Sequence, residues 1–181
     1  DDVDRFEASL AWADVVIAQL EPPPAVTESV LRRAACPTLL DLAPAQGPVR
    51  ELAGLAAWVT ANAGEAEAAT GVPVDDQASA LDAAGELRAL GASVAGVTAG
   101  SAGQLVAWDG GSCWTPPPAV VAVVDTAGAG DAFAATLAVL LARGDDPTLA
   151  ARAASTASTL ACRHLGAQSA LPTMAEIAAH G

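Results

Sequence analysis

The stretch VVAVVDTAGAGDAF, from Val120 to Phe133, sets an unbroken apolar run against a corner of small residues and then a helix-forming segment. Consecutive apolar residues from Val120 to Val124 are the pattern of a strand buried on both faces, as where helices cover a parallel sheet. The corner Gly128-Ala129-Gly130 lets the backbone approach a ligand closely, and glycine adopts φ values that other residues resist. The first N–H groups of the next helix lack intrahelical partners and carry the positive end of its dipole, which makes an anion site. Asp131 would stand beside that site, ready to accept a proton. Taken alone, the corner also reads as a tight turn with an acid favouring a helix start. It is not a Walker loop, because no Lys follows, nor a dinucleotide fingerprint, because the third glycine is missing.

Upstream, apolar runs alternate with Ala-rich helical stretches, which predicts βα units and a largely parallel sheet. Strands are expected at Asp14 to Leu20, buried, then at Pro37 to Leu42, near Trp58 to Ala61, and at Ala92 to Thr98. Helices are expected at Thr27 to Ala35, entered from the proline turn Pro22 to Pro24, around Glu65 to Thr70 closed by Gly71, and at Asp76 to Leu90 capped by Gly91. Gly103 to Trp108 and Ser112 to Thr115 read as a hairpin around Asp109-Gly110-Gly111. Downstream come helices at roughly Gly130 to Arg143 and Pro147 to His164, then a short C-terminal one. The fold class is α/β, with a Rossmann-like, mostly parallel sheet flanked by helices and ligands at the carboxyl ends of its strands.

Composition narrows the partners. The 181 residues carry a formal net charge of -13, with eight Arg and no Lys. Nucleic-acid binding rests largely on cationic neutralisation of phosphates, so neither a nucleic acid nor an anionic membrane is an expected partner. No apolar run approaches the roughly 20 residues that span a bilayer. The acidic start, Asp1, Asp2 and Asp4, argues against a cationic signal peptide, and a missing initiator Met fits a processed or truncated product. Cys36, Cys113 and Cys162 are odd in number and show no CxxC spacing, so they read as thiols of a reducing compartment, the cytoplasm. With only His164 and His180 present, a His-based metal centre or nucleophilic triad is not expected.

The whole string Asp125-Thr126-Ala127-Gly128-Ala129-Gly130-Asp131-Ala132-Phe133 resembles the C-terminal signature of the ribokinase-like sugar kinases, D-T-x-G-A-G-D-x-F, at every fixed position. The resemblance implies that Gly128, Ala129 and Gly130 hold the transferring phosphate and that Asp131 is the general base on a sugar hydroxyl. Asp125 and the carbonyl of Ala127 would belong to a monovalent-cation site, for K+ by that resemblance.

Further segments match the family in order. Gln19-Leu20-Glu21-Pro22 is similar to a segment whose Glu contacts the sugar, though Glu21 reads equally as a solvated loop acid. Nearby Asp41-Leu42-Ala43-Pro44-Ala45 resembles N-P-A-P-A, with Asp41 in place of Asn. Asn62-Ala63-Gly64-Glu65 matches N-x-x-E, which implies Asn62 near the nucleotide phosphates and Glu65 organising Mg2+ through water. By itself, an acid in a first helical turn is also simply dipole-favourable. Thr98-Ala99-Gly100-Ser101-Ala102-Gly103 corresponds to the family's T-L-G-x-x-G strand end, passing close to ATP, and alone it reads as a β-turn. Leu165-Gly166-Ala167-Gln168 resembles the segment closing the cation site, to which Ala161, His164 and Gly166 would offer carbonyl oxygens. Ser155 stands where an adenine-facing Asn or His is common, and Ala170 where Ser is common, with Ser169 beside it.

Residues 1–181 are therefore expected to form the C-terminal nucleotide-binding and catalytic part of such a kinase. The N-terminal sugar-binding strands, the Gly-Gly motif and the β lid of the family are missing. The implied ligands are ATP and a small sugar, with ribose favoured, and a homodimer is an expectation for the full-length parent.

Overall fold

The computed structural model describes residues 3–116 and 122–181. A 3-10 turn, Val3–Phe6, precedes α1 (Glu7–Trp12), β1 (Val16–Ala18), α2 (Pro24–Arg33), β2 (Thr38–Asp41), α3 (Val49–Ala53) and β3 (Trp58–Asn62). Then come α4 (Ala63–Thr70), α5 (Gln77–Ala89), β4 (Val94–Thr98), a 3-10 turn at Gly100–Ala102, β5 (Gln104–Trp108) and β6 (Gly111–Thr115). The chain closes with α6 (Ala129–Ala142), α7 (Pro147–Ala161) and α8 (Met174–His180).

The six strands form one sheet in the order β1-β2-β3-β4-β5-β6. The first four are parallel, and β5 and β6 add an antiparallel ladder beyond β4. The period-2 alternation of side chains divides the central strands between two cores. Leu40, Val59, Ala95, Val97 and Leu105 face Leu52, Ala83 and Leu87 of α3 and α5 in one apolar cluster. Leu39, Trp58, Val94 and Val106 face Phe133, Leu137, Ala150 and Ala154 of α6 and α7 in the other. Because both faces are covered, β2 reads as a continuous buried run, Thr38–Asp41. Its final residue, Asp41, is a carboxylate inside that run.

Several expected boundaries shift for identifiable reasons. β1 is a half-exposed strand of three residues, not the buried Asp14 to Leu20 run, because among the described residues it is paired only by β2. α2 begins at Pro24, three residues before Thr27, since proline suits the first helical position, where no N–H is needed. α7 stops at Ala161, short of His164. The hairpin turn is Asp109-Gly110 alone, with Gly111 paired to Trp108 inside β6.

The expected strand from Val120 to Val124 is the largest correction. Val120 and Val121 lie outside the described residues. Ala122, Val123 and Val124 are exposed and carry no strand pairing. The N–H groups of Val124 and Asp125 donate instead to the carbonyl of Cys162 just past α7, and the apolar side chains line a cleft. No helix among the described residues is long and apolar enough to cross a membrane.

Candidate active site

The carboxyl ends of the four parallel strands gather the chemistry-bearing residues. Gln19 follows β1, Asp41 ends β2, Asn62 ends β3 and Thr98 ends β4. The first turn of α6 meets them from across the sheet. That approach is set by packing: Phe133, 1% exposed, lies against Gly96 of β4, where an added Cβ would be 2.8 Å from the ring. The aromatic two residues after Asp131 thus seats the helix start on the sheet.

Gly128 is the N-cap of α6, with φ +81°, in the left-handed region that favours glycine. The loop before it is tied down by Asp125, whose Oδ1 accepts the N–H of Ala127 at 2.9 Å and whose Oδ2 accepts the N–H of Gly166 at 3.0 Å. The N–H groups of Ala127 and Gly166 hold that carboxyl below the usual carboxylate range, favouring the anion. The 125–128 corner and the 165–167 turn therefore form one unit.

Two clefts meet at this helix start. The smaller, about 430 Å³, is lined by Gln19, Glu21, Thr27, Asp41 and Asp131, with Ile17, Val26 and Ala134 among its apolar walls. The larger, about 1390 Å³, is lined by Thr98, Gly100, Ser101, Gly103, Ala129, Gly130, Ser155 and His164. Asp131 thus belongs to one cleft and its neighbour Gly130 to the other. The N-terminus of α6 has no side-chain cap; the Ala129 N–H donates to the Thr126 carbonyl at 3.2 Å, and the N–H groups of Gly130 and Asp131 stand at the junction without a side-chain partner.

Inside the smaller cleft a single amide joins two carboxylates. Gln19 Nε2 donates to Asp131 Oδ1 at 3.1 Å and to Asp41 Oδ2 at 3.3 Å. Asp41 Oδ1 accepts from Thr60 Oγ1 at 3.0 Å. Asp41 is 7% exposed, and burial pushes its carboxyl up to about 6, against the opposing effect of the Gln19 and Thr60 bonds. The negative charges of Glu65 and Asp131 push in the same direction as burial.

The expected residues are brought together unevenly. Glu21 and Asp131 share the smaller cleft. Thr98, Gly100, Ser101, Gly103, Gly130, Ser155 and His164 share the larger one. Ala99 and Ala102 do not line it: Ala99 packs against the apolar core and closes the 3-10 turn by bonding Gly103 and Ala102. Asn62 and Glu65 form a reciprocal capping box, with Glu65 N–H donating to Asn62 Oδ1 at 3.0 Å and Asn62 N–H to Glu65 Oε2 at 2.8 Å. Neither lines the larger cleft. Around the second loop, Ala161 is fully buried, Gly166 has φ +99°, and Ser169 Oγ donates to the carbonyl of Leu165 at 3.0 Å. Cys36, Cys113 and Cys162 are free thiols, and burial with the nearby Asp125 charge raises that of Cys162.

The sequence motifs assign no role to Gln19 or to Asp41. The available signal was an acid closing the apolar run Thr38–Asp41, since a buried carboxylate requires partners. Gln104, which lines the larger cleft and donates to Ser158 Oγ at 3.0 Å, carried no comparable signal.

The comparisons with known proteins fit this geometry. Residues 25–174 match the profile of the pfkB family carbohydrate kinases. The chain is 37% identical over 177 residues to the bifunctional ribokinase/ribose-5-phosphate isomerase A of Fructilactobacillus sanfranciscensis, covering 95% of this chain and 32% of that protein. It is 33% identical over 177 residues to the ribokinase of Haemophilus influenzae, covering 96% of this chain and 58% of that one. The Arabidopsis thaliana ribokinase structure, complexed with ribose and ATP, superimposes with a TM-score of 0.86 at 26% identity, over 97% of this chain and 58% of that one. The chain thus spans about a third to three fifths of the relatives it matches. Signature, sheet and paired clefts agree with the profile: the chain belongs to the pfkB family of carbohydrate kinases.

Proposed function

We propose that the chain is the nucleotide-binding and catalytic part of a kinase that transfers the γ-phosphoryl group of ATP to a sugar hydroxyl, D-ribose to ribose 5-phosphate being the favoured reaction. The observation that carries this reading is the shared first turn of α6, with Asp131 in the smaller cleft and Gly130 in the larger. A sugar in the first cleft and a nucleotide in the second would bring hydroxyl and phosphate to the same helix start. Phosphoryl transfer leaves little covalent chemistry to the protein and depends on positioning and charge stabilisation. Asp131 takes the hydroxyl proton, and the N–H groups of Gly128 and Gly130 hold charge developing on the phosphate, while the Ala129 N–H is bonded to the Thr126 carbonyl.

The ionisable groups lining the smaller cleft, Glu21, Asp41 and Asp131, are all acids. Carboxylates accept hydroxyl hydrogen bonds and repel phosphate, which favours a neutral sugar over a sugar phosphate. Mg2+ would reach the site with the nucleotide, Glu65 acting through water, and would neutralise phosphate charge. Asp125 and the carbonyls of Ala127, Ala161, His164 and Gly166 offer oxygen donors of the kind a monovalent cation takes. The tie between Asp125 and Gly166 already brings the two loops that carry these donors together.

A second reading follows from coverage: a chain spanning 58% of a ribokinase could bind nucleotide without turning over. Calorimetry with ATP, paired with phosphorylation assays on ribose, fructose and nucleosides, separates the possibilities. ATP binding with ribose turnover supports the proposal; turnover on another acceptor selects another kinase of the family. Binding without turnover supports the nucleotide-binding fragment, and no ATP binding contradicts both.

A further inference from the structure

Asp131 presents two oxygens, and only Oδ1 is bonded by a described residue, Gln19. The amide that occupies it is itself fixed. Gln19 Nε2 has two hydrogens, and the second goes to Asp41 Oδ2. Asp41 cannot swing away, because it is buried at the end of a central strand and its other oxygen is bonded by Thr60 on the neighbouring strand. An isolated side-chain amide beside a carboxylate would rotate freely; this one is held at both ends. We propose that Gln19, anchored on the buried Asp41, is the positioning residue that fixes one oxygen of Asp131 and leaves the other for the substrate hydroxyl. The inference rests on Asp131 being the base, and it adds two residues to the machinery that act through it.

The charged groups facing Asp41 are Asp131, from α6, and Glu65, from α4; the residue after β1 and a residue of β3 contribute the neutral donors Gln19 and Thr60. The Gln19 amide therefore sits between carboxylates, where an amide donor is held more firmly by the ionised form of each. Loss of the Asp41 charge loosens the anchor and, through it, the base.

The two side-chain amide protons of Gln19 report both bonds in the 15N-labelled chain. Between pH 4 and 8, one resonance should move with a midpoint near 6, the range to which Asp41 is raised. Asp41→Asn should abolish that movement, and Asp131→Asn should displace the other resonance. In the intact enzyme, Gln19→Met, which keeps the length of the side chain, should lower kcat by about two- to tenfold, the worth of one hydrogen bond. KM for ATP should be unchanged, whereas a merely structural defect would move both. Amide resonances indifferent to both substitutions would overturn the positioning role and leave the base assignment standing. Full turnover by Asp131→Asn would instead remove the base reading, with the Gln19 bonds still visible in the spectrum.

Discussion

Gly128 and Ala167 approach so closely that a Cβ on the first would lie 2.7 Å from the carbonyl oxygen of the second. The contact locks the 125–128 corner onto the turn after α7, beside the tie between Asp125 and Gly166. Gly128→Ala must accommodate both that overlap and a left-handed φ, so it should lower unfolding free energy by about 2 kcal/mol or more. Gly130 is the control, because nothing lies within 4 Å of its Cβ position. Gly130→Ala should be neutral or stabilise by up to about 1 kcal/mol. Urea melts of the two variants check this, and equal midpoints would contradict the packing described here.

The seating of α6 makes a second prediction. Phe133 fills the space that Gly96 leaves open. Phe133→Ala should cost about 3–5 kcal/mol, as for other buried aromatics. Gly96→Ala should cost about 1–3 kcal/mol by overpacking the same contact. Circular dichroism during denaturant unfolding measures both.

Much of this was legible in the sequence, for physical reasons. Helix-covered strands are largely apolar, so β2, β3 and β4 stood out, and Gly71 with φ +78° closes α4 where a glycine C-cap predicted it. Short elements were missed: α1 and α3, of six and five residues, are too brief for periodicity to register. Ala122, Val123 and Val124 misled because apolar residues lining a cleft look the same in sequence as apolar residues within a sheet. At the site, local motifs singled out Asp131, Gly130 and Thr98, and all three line clefts in the structure. The bond from Gln19 to Asp131, separated by 112 positions, left no local trace.

Asp41 predicts a pH dependence of stability. Its folded-state carboxyl titrates near 6, above the ordinary value of 3.8, so the native state binds the proton more readily than the unfolded chain. Stability from this group is present below about pH 4 and is lost as pH rises through 6. Asp41→Asn removes that loss, so its stability relative to wild type should improve by up to about 3 kcal/mol between pH 4 and pH 7. Denaturant titrations at both pH values check the sign; a variant that loses stability relative to wild type as pH rises would contradict it.

Asn62 and Glu65 separate capping from metal chemistry. Asn62→Ala should cost about 1 kcal/mol by losing the N-cap. Glu65→Gln keeps an acceptor for the Asn62 N–H, so stability should change by less than about 0.5 kcal/mol. If Glu65 organises Mg2+ through water, the same variant should need about 10- to 100-fold more Mg2+ for half-maximal activity. An unchanged Mg2+ requirement would leave Glu65 as a cap alone.

If Asp131, at the junction of the two clefts, takes the proton from the sugar hydroxyl, turnover must depend on its carboxylate. The direct measurement is kcat for ATP-dependent ribose phosphorylation by the intact enzyme and its Asp131→Asn variant, with ATP affinity measured alongside. A fall of about 10²- to 10⁴-fold in kcat at unchanged ATP affinity is the expected result. Near-normal turnover in the variant would contradict the account.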